Sequence, residues 1–248
     1  MKKLFFCLLL TTAVAALSTS CRNGKPIHED MTLAFPDPVF RQYVLDNFDT
    51  DKNGMISAKE AAAVTEIDVS GTDSENNGIT SLKGIEYFAN LTELSCFCNK
   101  ITSLDVSENA KLKGLACHKN QLTSLDVTKN TNLTSLWCSG NQLTELDLSR
   151  NTELLILWCF NNSLTNLDLS KNTNLSSLWC SGNQLTELDL SKTDLNTDLF
   201  SSTQQPQLLC TMPTLKKLYL KKGWSIEGIT ENRSSDCIFD VTEIVFVD

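Results

Sequence analysis

SLWCSGNQLTELDLS occupies residues 135–149, and the same letters return at residues 177–191, 42 positions on. Between the two copies lies a looser version, LLILWCFNNSLTNLDLS at 154–170, so the repeating unit is 21 residues long. Aligned at that period, the first half of each unit reads LxxLxCxxNx and opens at Leu91, Leu112, Leu133, Leu154 and Leu175. Its cysteines fall at Cys96, Cys117, Cys138, Cys159 and Cys180, and its asparagines at Asn99, Asn120, Asn141, Asn162 and Asn183. The second half opens at Ile101, Leu122, Leu143, Leu164 and Leu185 and reads (L/I)TxLDL or a close variant. Apolar positions alternate within four-residue segments and no unit carries a helical stripe, so each coil is expected to hold two short parallel strands.

One coil cannot bury its own apolar edge. Stacked coils bury a continuous leucine column, and identical neighbours satisfy identical contacts, so the repetition is structural before it is functional. The cysteines stand where a leucine would point inward. In-register parallel strands hold neighbouring Cβ atoms about 4.8 Å apart, longer than the roughly 3.8 Å of a disulfide, so the ladder reads as thiols packed as small hydrophobes. Zinc is not indicated, because the CxxC and histidine spacings of zinc sites are missing. The asparagines are expected to bond turn backbone as an internal ladder. A second column, Asn109, Asn130, Asn151 and Asn172, does the same for the other turn and stops at Thr193. Cys98, Cys210 and Cys237 lie outside the ladder, and whether Cys210 and Cys237 pair is left open.

Each half-unit repeats the LxxLxL spacing of a leucine-rich repeat. The stretch NGITSLKGIEYFANLTEL (77–94) resembles the lead-in to the repeats of internalin-like leucine-rich-repeat proteins, which also carry a helical N-terminal cap. The resemblance covers most of the mature chain. It implies a mainly β solenoid with a small helical cap, acting as a surface protein.

The rest of the chain divides around the repeats at 91–193. Residues 1–20, MKKLFFCLLLTTAVAALSTS, have the charged start, apolar run and small-residue end of a secretory signal. LSTSC resembles a bacterial lipoprotein processing site, which implies lipidation of Cys21; a plain cleaved signal is the alternative. Residues 21–36 read as a tether and 37–90 as the helical cap, with DPVFRQYVLDNF as a short amphipathic helix. Residues 194–248 read as an irregular insertion followed by closing strands that protect the open end.

Within the cap, DTDKNGMISAKE (49–60) resembles the calcium loop of an EF-hand at all twelve places. The resemblance implies oxygen ligands from Asp49, Asp51 and Asn53, the Met55 carbonyl, Ser57 directly or through water, and a bidentate Glu60. Only one such loop is present, so a single structural calcium ion is expected. The alternative is a turn whose Asp and Asn residues merely cap the helix starting near Ser57.

Function in a solenoid lies on residues the repeat does not need. The position before each ladder cysteine reads Ser95, Ala116, Trp137, Trp158 and Trp179, and Tyr219 of LKKLYLKKGW (215–224) is expected in the same column. Phe97, His118 and Phe160 follow the cysteines. Packing demands no aromatic there, and a contiguous aromatic patch marks a contact site; cross-strand stabilisation of the sheet is the competing reading. The second half exposes Asp105, Asp126, Asp147, Asp168 and Asp189, expected to bond Ser or Thr in the adjoining turn and not to bind calcium.

With a net charge of −9 the chain is a poor match for nucleic acid. It holds two histidines, His28 and His118, and no GxSxG, phosphate loop or HExxH, so no catalysis is expected. The reading is a binding protein of a Gram-negative envelope, at the outer membrane or cell surface, anchored through Cys21 and engaging a protein or glycan by its aromatic face. Glycan capture specifically, or a structural spacer without a ligand, are the alternatives.

Overall fold

The computed structural model describes residues 31–71, 78–195, 213–224, 241 and 243–248. Six parallel strands form one sheet in chain order: β1 (Glu66–Asp68), β2 (Glu93–Ser95), β3 (Gly114–Ala116), β4 (Ser135–Trp137), β5 (Ile156–Trp158) and β6 (Ser177–Trp179). From β2 onward each strand pairs with the next exactly one repeat later, so Leu94, Leu115, Leu136, Leu157 and Leu178 align in register. These leucines, the ladder cysteines and the leucines of the second halves are all buried in one continuous core. Each buried leucine is worth roughly 1.5–3 kcal/mol over its exposed state. No coil has a partner for that face except its neighbours.

The asparagines bind coil to coil. Asn141 Nδ2 donates to the carbonyls of Cys138 at 3.0 Å in its own coil and Cys117 at 3.1 Å in the preceding one. Its Oδ1 accepts the Leu122 N–H at 3.0 Å. Asn120, Asn162 and Asn183 repeat the pattern. The second column works similarly: Asn151 Nδ2 donates to the carbonyls of Val127 and Asn130 in the coil before. Where that column ends, the Thr193 hydroxyl donates to Leu190 of its own coil.

Each coil turns at the second residue after its cysteine, and there Cys98, Lys119, Gly140, Asn161 and Gly182 all have φ between 53° and 65°. Glycine takes this left-handed conformation without strain, which accounts for the CSGN of the two identical copies. Lys119 and Cys98 hold the same turn against the ordinary preference of a side-chain-bearing residue.

The second halves depart from the two-strand expectation. Each of their aspartates accepts the N–H two residues on, for example Asp147 from Ser149 at 2.9 Å, and Asp189 of the strand described below does the same. One backbone bond per coil crosses there, as from Gln142 N to Leu122 O at 2.8 Å. Among the described residues a ladder forms in a second half only at β7 (Glu187–Asp189), which pairs with β8 (Lys217–Lys221) and through it with β9 (Glu243–Val247).

The N-terminal cap packs on the first coil through α1 (Met31–Ala34), α2 (Pro38–Phe48) and α3 (Ala58–Ala63). The packed cap begins inside the span read as a tether: residues 31–34 are helical, and Ala34 and Phe35 are buried. The Phe35 ring lies 5.8 Å from Phe40 and Tyr87 and 6.1 Å from Phe88, because the first coil needs an apolar cover and no neighbouring coil supplies it. Asp37 caps α2 with Oδ1 and with Oδ2 accepts the Thr80 N–H and hydroxyl, both at 2.9 Å, joining the helix to the chain leading into the repeats. The proposed signal, Cys21, Cys210, Cys237 and most of 194–214 lie outside the described residues.

Asn141→Ala takes the partner from the buried Leu122 amide and one of two amide donors from each of the Cys117 and Cys138 carbonyls, which keep Asn120 and Asn162, so it is expected to cost about 2 kcal/mol. Urea denaturation checks this, and a loss under about 1 kcal/mol would show that the amide column does not hold the coils together.

Candidate functional site

The sheet places Ala116, Trp137, Trp158 and Trp179 side by side in register on its outer face. Strand spacing brings their rings together. Trp158 and Trp179 stack at 4.6 Å and 13°, Trp137 meets Trp158 edge-on at 6.1 Å and 78°, and Phe160 tilts against Trp179 at 6.0 Å. All four rings are half-buried. The Trp158 indole nitrogen is itself buried without a hydrogen-bond partner among the described residues. Leu155, 44% exposed, and Ile156 extend the apolar patch. In these three coils Ser135, Ser139, Ser177 and Ser181 complete the strand face, which carries no charged residue. Toward the cap, Phe97 and His118 form a separate stacked pair at 4.4 Å and 11°.

Tyr219 does not join this column. Residues 215–221 stack on a second half, not a first half, so Leu218 aligns with Leu188 and Tyr219 with Asp189. The Tyr219 hydroxyl donates to Glu187 Oε2 at 3.4 Å, and Lys217 Nζ sits 5.3 Å from the ring centroid. Tyr219 therefore belongs to the aspartate face of the solenoid. On that face Asp126, Asp147 and Asp168 are held below the ordinary carboxylate value by bonds from Thr128, Ser149 and Ser170.

The inner face is chemically quiet. Burial pushes the thiols of Cys96, Cys138 and Cys180 up to about 12 and those of Cys117 and Cys159 well above 9.0. A thiol kept protonated is a poor nucleophile. Cys98 is buried and approaches His118 through the backbone, its N–H donating to the His118 carbonyl at 3.1 Å.

In the cap, one oxygen from each of Asp49, Asp51 and Glu60 lies within 4.8 Å of the others. Asp49 accepts the Asn53 N–H with Oδ1 and the Gly54 N–H with Oδ2, and Asp51 accepts the Asn53 N–H and side-chain amide. Asn53 Oδ1 accepts the Met55 N–H. Ile56 is wholly buried and anchors the loop. Ser57 and Glu60 form the capping box of α3, and Glu60 reaches across the loop to Thr50. The donor set is all hard oxygen, from three carboxylates and a side-chain amide gathered by one loop, and suits a calcium-sized cation. The Ser57 hydroxyl is engaged with Glu60, and the Met55 side chain takes no part in this hydrogen-bond set.

The architecture defines a leucine-rich-repeat solenoid with a helical N-terminal cap. Internalin J of Listeria monocytogenes serotype 4b (strain F2365) is 42% identical over 75 residues, a match spanning 30% of this chain and 8% of that protein. The structure of an internalin (InlF) from L. monocytogenes strain 4b F2365 aligns with 91% of this chain and 67% of its own, at 21% identity and a TM-score of 0.57. Internalin C2 of the same strain aligns over 88% of this chain and 96% of its own, at 21% identity and a TM-score of 0.56. No family model matches. The fold is that of a leucine-rich-repeat solenoid, shared with these internalin structures.

Two cap carboxylates set an acid limit. Burial raises the pKa of Asp37, but bonds from Thr80, Phe40 and Val39 outweigh it and hold the group below 3.8. Burial likewise opposes ionisation of Glu60, yet bonds from Thr50 and Ser57 pull it from 4.5 to about 2. A depressed carboxylate stabilises the fold above its unfolded value and loses that contribution as pH falls through its folded value. The melting temperature is expected to fall between pH 4.5 and about pH 2, and to fall less in Glu60→Gln. Circular dichroism melts across that window check it.

Proposed function

We propose that the chain is a non-enzymatic recognition protein of the cell envelope, engaging a protein or glycan through the Trp137, Trp158, Trp179 and Phe160 face. The carrying observation is the aromatic array on a charge-free strand face of a chain with net charge −9. Stacking the repeat needs only the inward leucines, so these aromatics are surplus to the fold. A ligand met here is recognised by apolar contact and hydrogen bonding, with no ionic term. Phe97 and His118 extend the surface toward the cap.

One observation favours the structural alternative. Trp158 and Trp179 bury much of each other's ring faces, which stabilises neighbouring strands whether or not anything binds. The same stacking weighs against glycan capture, which needs an open ring face.

Envelope placement rests on the signal-like residues 1–20 and on lipidation of Cys21. Among the described residues no helix is long and apolar enough to cross a membrane. The relatives compared above come from Listeria monocytogenes, a Gram-positive bacterium, so they lend the Gram-negative placement no support; that part stands on the leader alone. The cap loop is proposed to hold one structural calcium ion through Asp49, Asp51, Asn53, Glu60, the Met55 carbonyl and Ser57, supported by the gathering of the three carboxylates.

Screening the purified chain on glycan and protein arrays beside the Trp137→Ala/Trp158→Ala/Trp179→Ala variant tests the face. The expected result is a hit lost in the variant while its circular dichroism is unchanged. A retained hit moves the tryptophans to a structural role. For the ion, calcium is expected to raise the melting temperature of the wild-type chain over its chelator-treated form, and Glu60→Ala is expected to abolish the difference. A wild-type melt indifferent to calcium would sink the assignment.

A further inference from the structure

Glu60 is the most heavily engaged carboxylate of the 49–60 loop. Oε1 accepts the Thr50 N–H at 2.7 Å and the Thr50 hydroxyl at 2.6 Å. Oε2 accepts the Ser57 N–H at 2.9 Å and the Ser57 hydroxyl at 2.8 Å. A carboxylate has about four lone-pair sites, so the protein itself fills the whole acceptor capacity of the group. Asp49 and Asp51 are less committed: Asp49 accepts one bond on each oxygen, and Asp51 does the same.

A cation taking both oxygens of Glu60 must displace one donor from each. The backbone N–H groups of Thr50 and Ser57 are fixed by the chain, whereas the hydroxyls are rotors that can turn away. The Ser57 hydroxyl has a second role, accepting the Glu60 N–H at 3.2 Å as the cap of α3. Among the described residues the Thr50 hydroxyl makes no other hydrogen bond, and its contact with Glu60 is the shortest of the four.

We propose that Thr50 is an internal competitor for the calcium site, a clasp that closes the loop on Glu60 without an ion and that the ion must open. This inference rests on the calcium reading of the loop. Two consequences follow. The cap folds in the absence of calcium, because the clasp already ties residue 50 to residue 60. Calcium binding is weakened by the bond it has to break, placing the loop toward the weak end of such sites.

The test is calorimetric titration of calcium chloride into the chelator-treated full chain, for wild type, Thr50→Val and Thr50→Ser, with melting temperatures taken before addition of ion. Valine keeps the branched shape and the backbone N–H and removes only the hydroxyl donor. Losing one hydrogen bond to a charged group is expected to tighten calcium binding about tenfold and to lower the ion-free melting temperature. Serine, which restores the hydroxyl, is expected to return both toward wild type. Equal affinities in wild type and Thr50→Val would overturn the clasp while leaving the calcium site standing. Absence of binding in all three chains would overturn the calcium reading, and the clasp with it.

Discussion

The structure depends on hydrogen bonds that run between coils, not within them. Each ladder asparagine serves three buried backbone groups: an amide that it alone bonds, and two carbonyls, each shared with the asparagine of a neighbouring coil, as Asn120 and Asn141 share that of Cys117. Two of the three lie in the coil before, as Asn141 with Cys117 and Leu122 illustrates. A turn this tight cannot satisfy its own backbone, and an unpaired buried polar group costs about as much as one buried leucine contributes. The coil is therefore stable only when stacked. That is why the ends need separate treatment: a helical cap with Phe35 over the first coil, and at the other end Thr193, whose hydroxyl turns back to its own coil.

Given that constraint, the two faces of the solenoid diverge for local reasons. The first half of each coil keeps an unbroken parallel ladder, so its outer side chains stand in register and aromatic residues meet ring to ring. In the second half the aspartates fold back on the N–H two residues on, and the ladder lapses. The result is one continuous strand face able to present a patch and one polar face whose carboxylates serve their own turns. The cap loop is a third region with its own chemistry, and its carboxylates are likewise consumed in part by the chain.

Much of this was legible in the repeat itself. The period, the inward cysteines and leucines, both asparagine columns and the place of the tryptophans follow from letters that recur every 21 residues, because a stacked coil must meet the same contacts in each copy. The left-handed turn was also written there, in Gly140 and Gly182, although Lys119 and Cys98 mask it in other coils. The bonds of the aspartates to their Ser and Thr neighbours were readable from the LDLS spacing, but not that most second halves would lack a strand.

Tertiary structure alone decided what the sequence pattern treats as equivalent. LKKLYLKKGW matches the spacing of either half-coil, and only the stacking of Leu218 on Leu188 assigns Tyr219 to the aspartate face. TLAF looks like the end of a tether until the first coil requires a cover and draws Ala34 and Phe35 into the core. Three tryptophans 21 residues apart are bound to share a column, but whether their rings lie open or stack on one another depends on side-chain packing between strands. No one-dimensional spacing encodes that, and it is what separates an open sugar-stacking platform from the self-packed array found here.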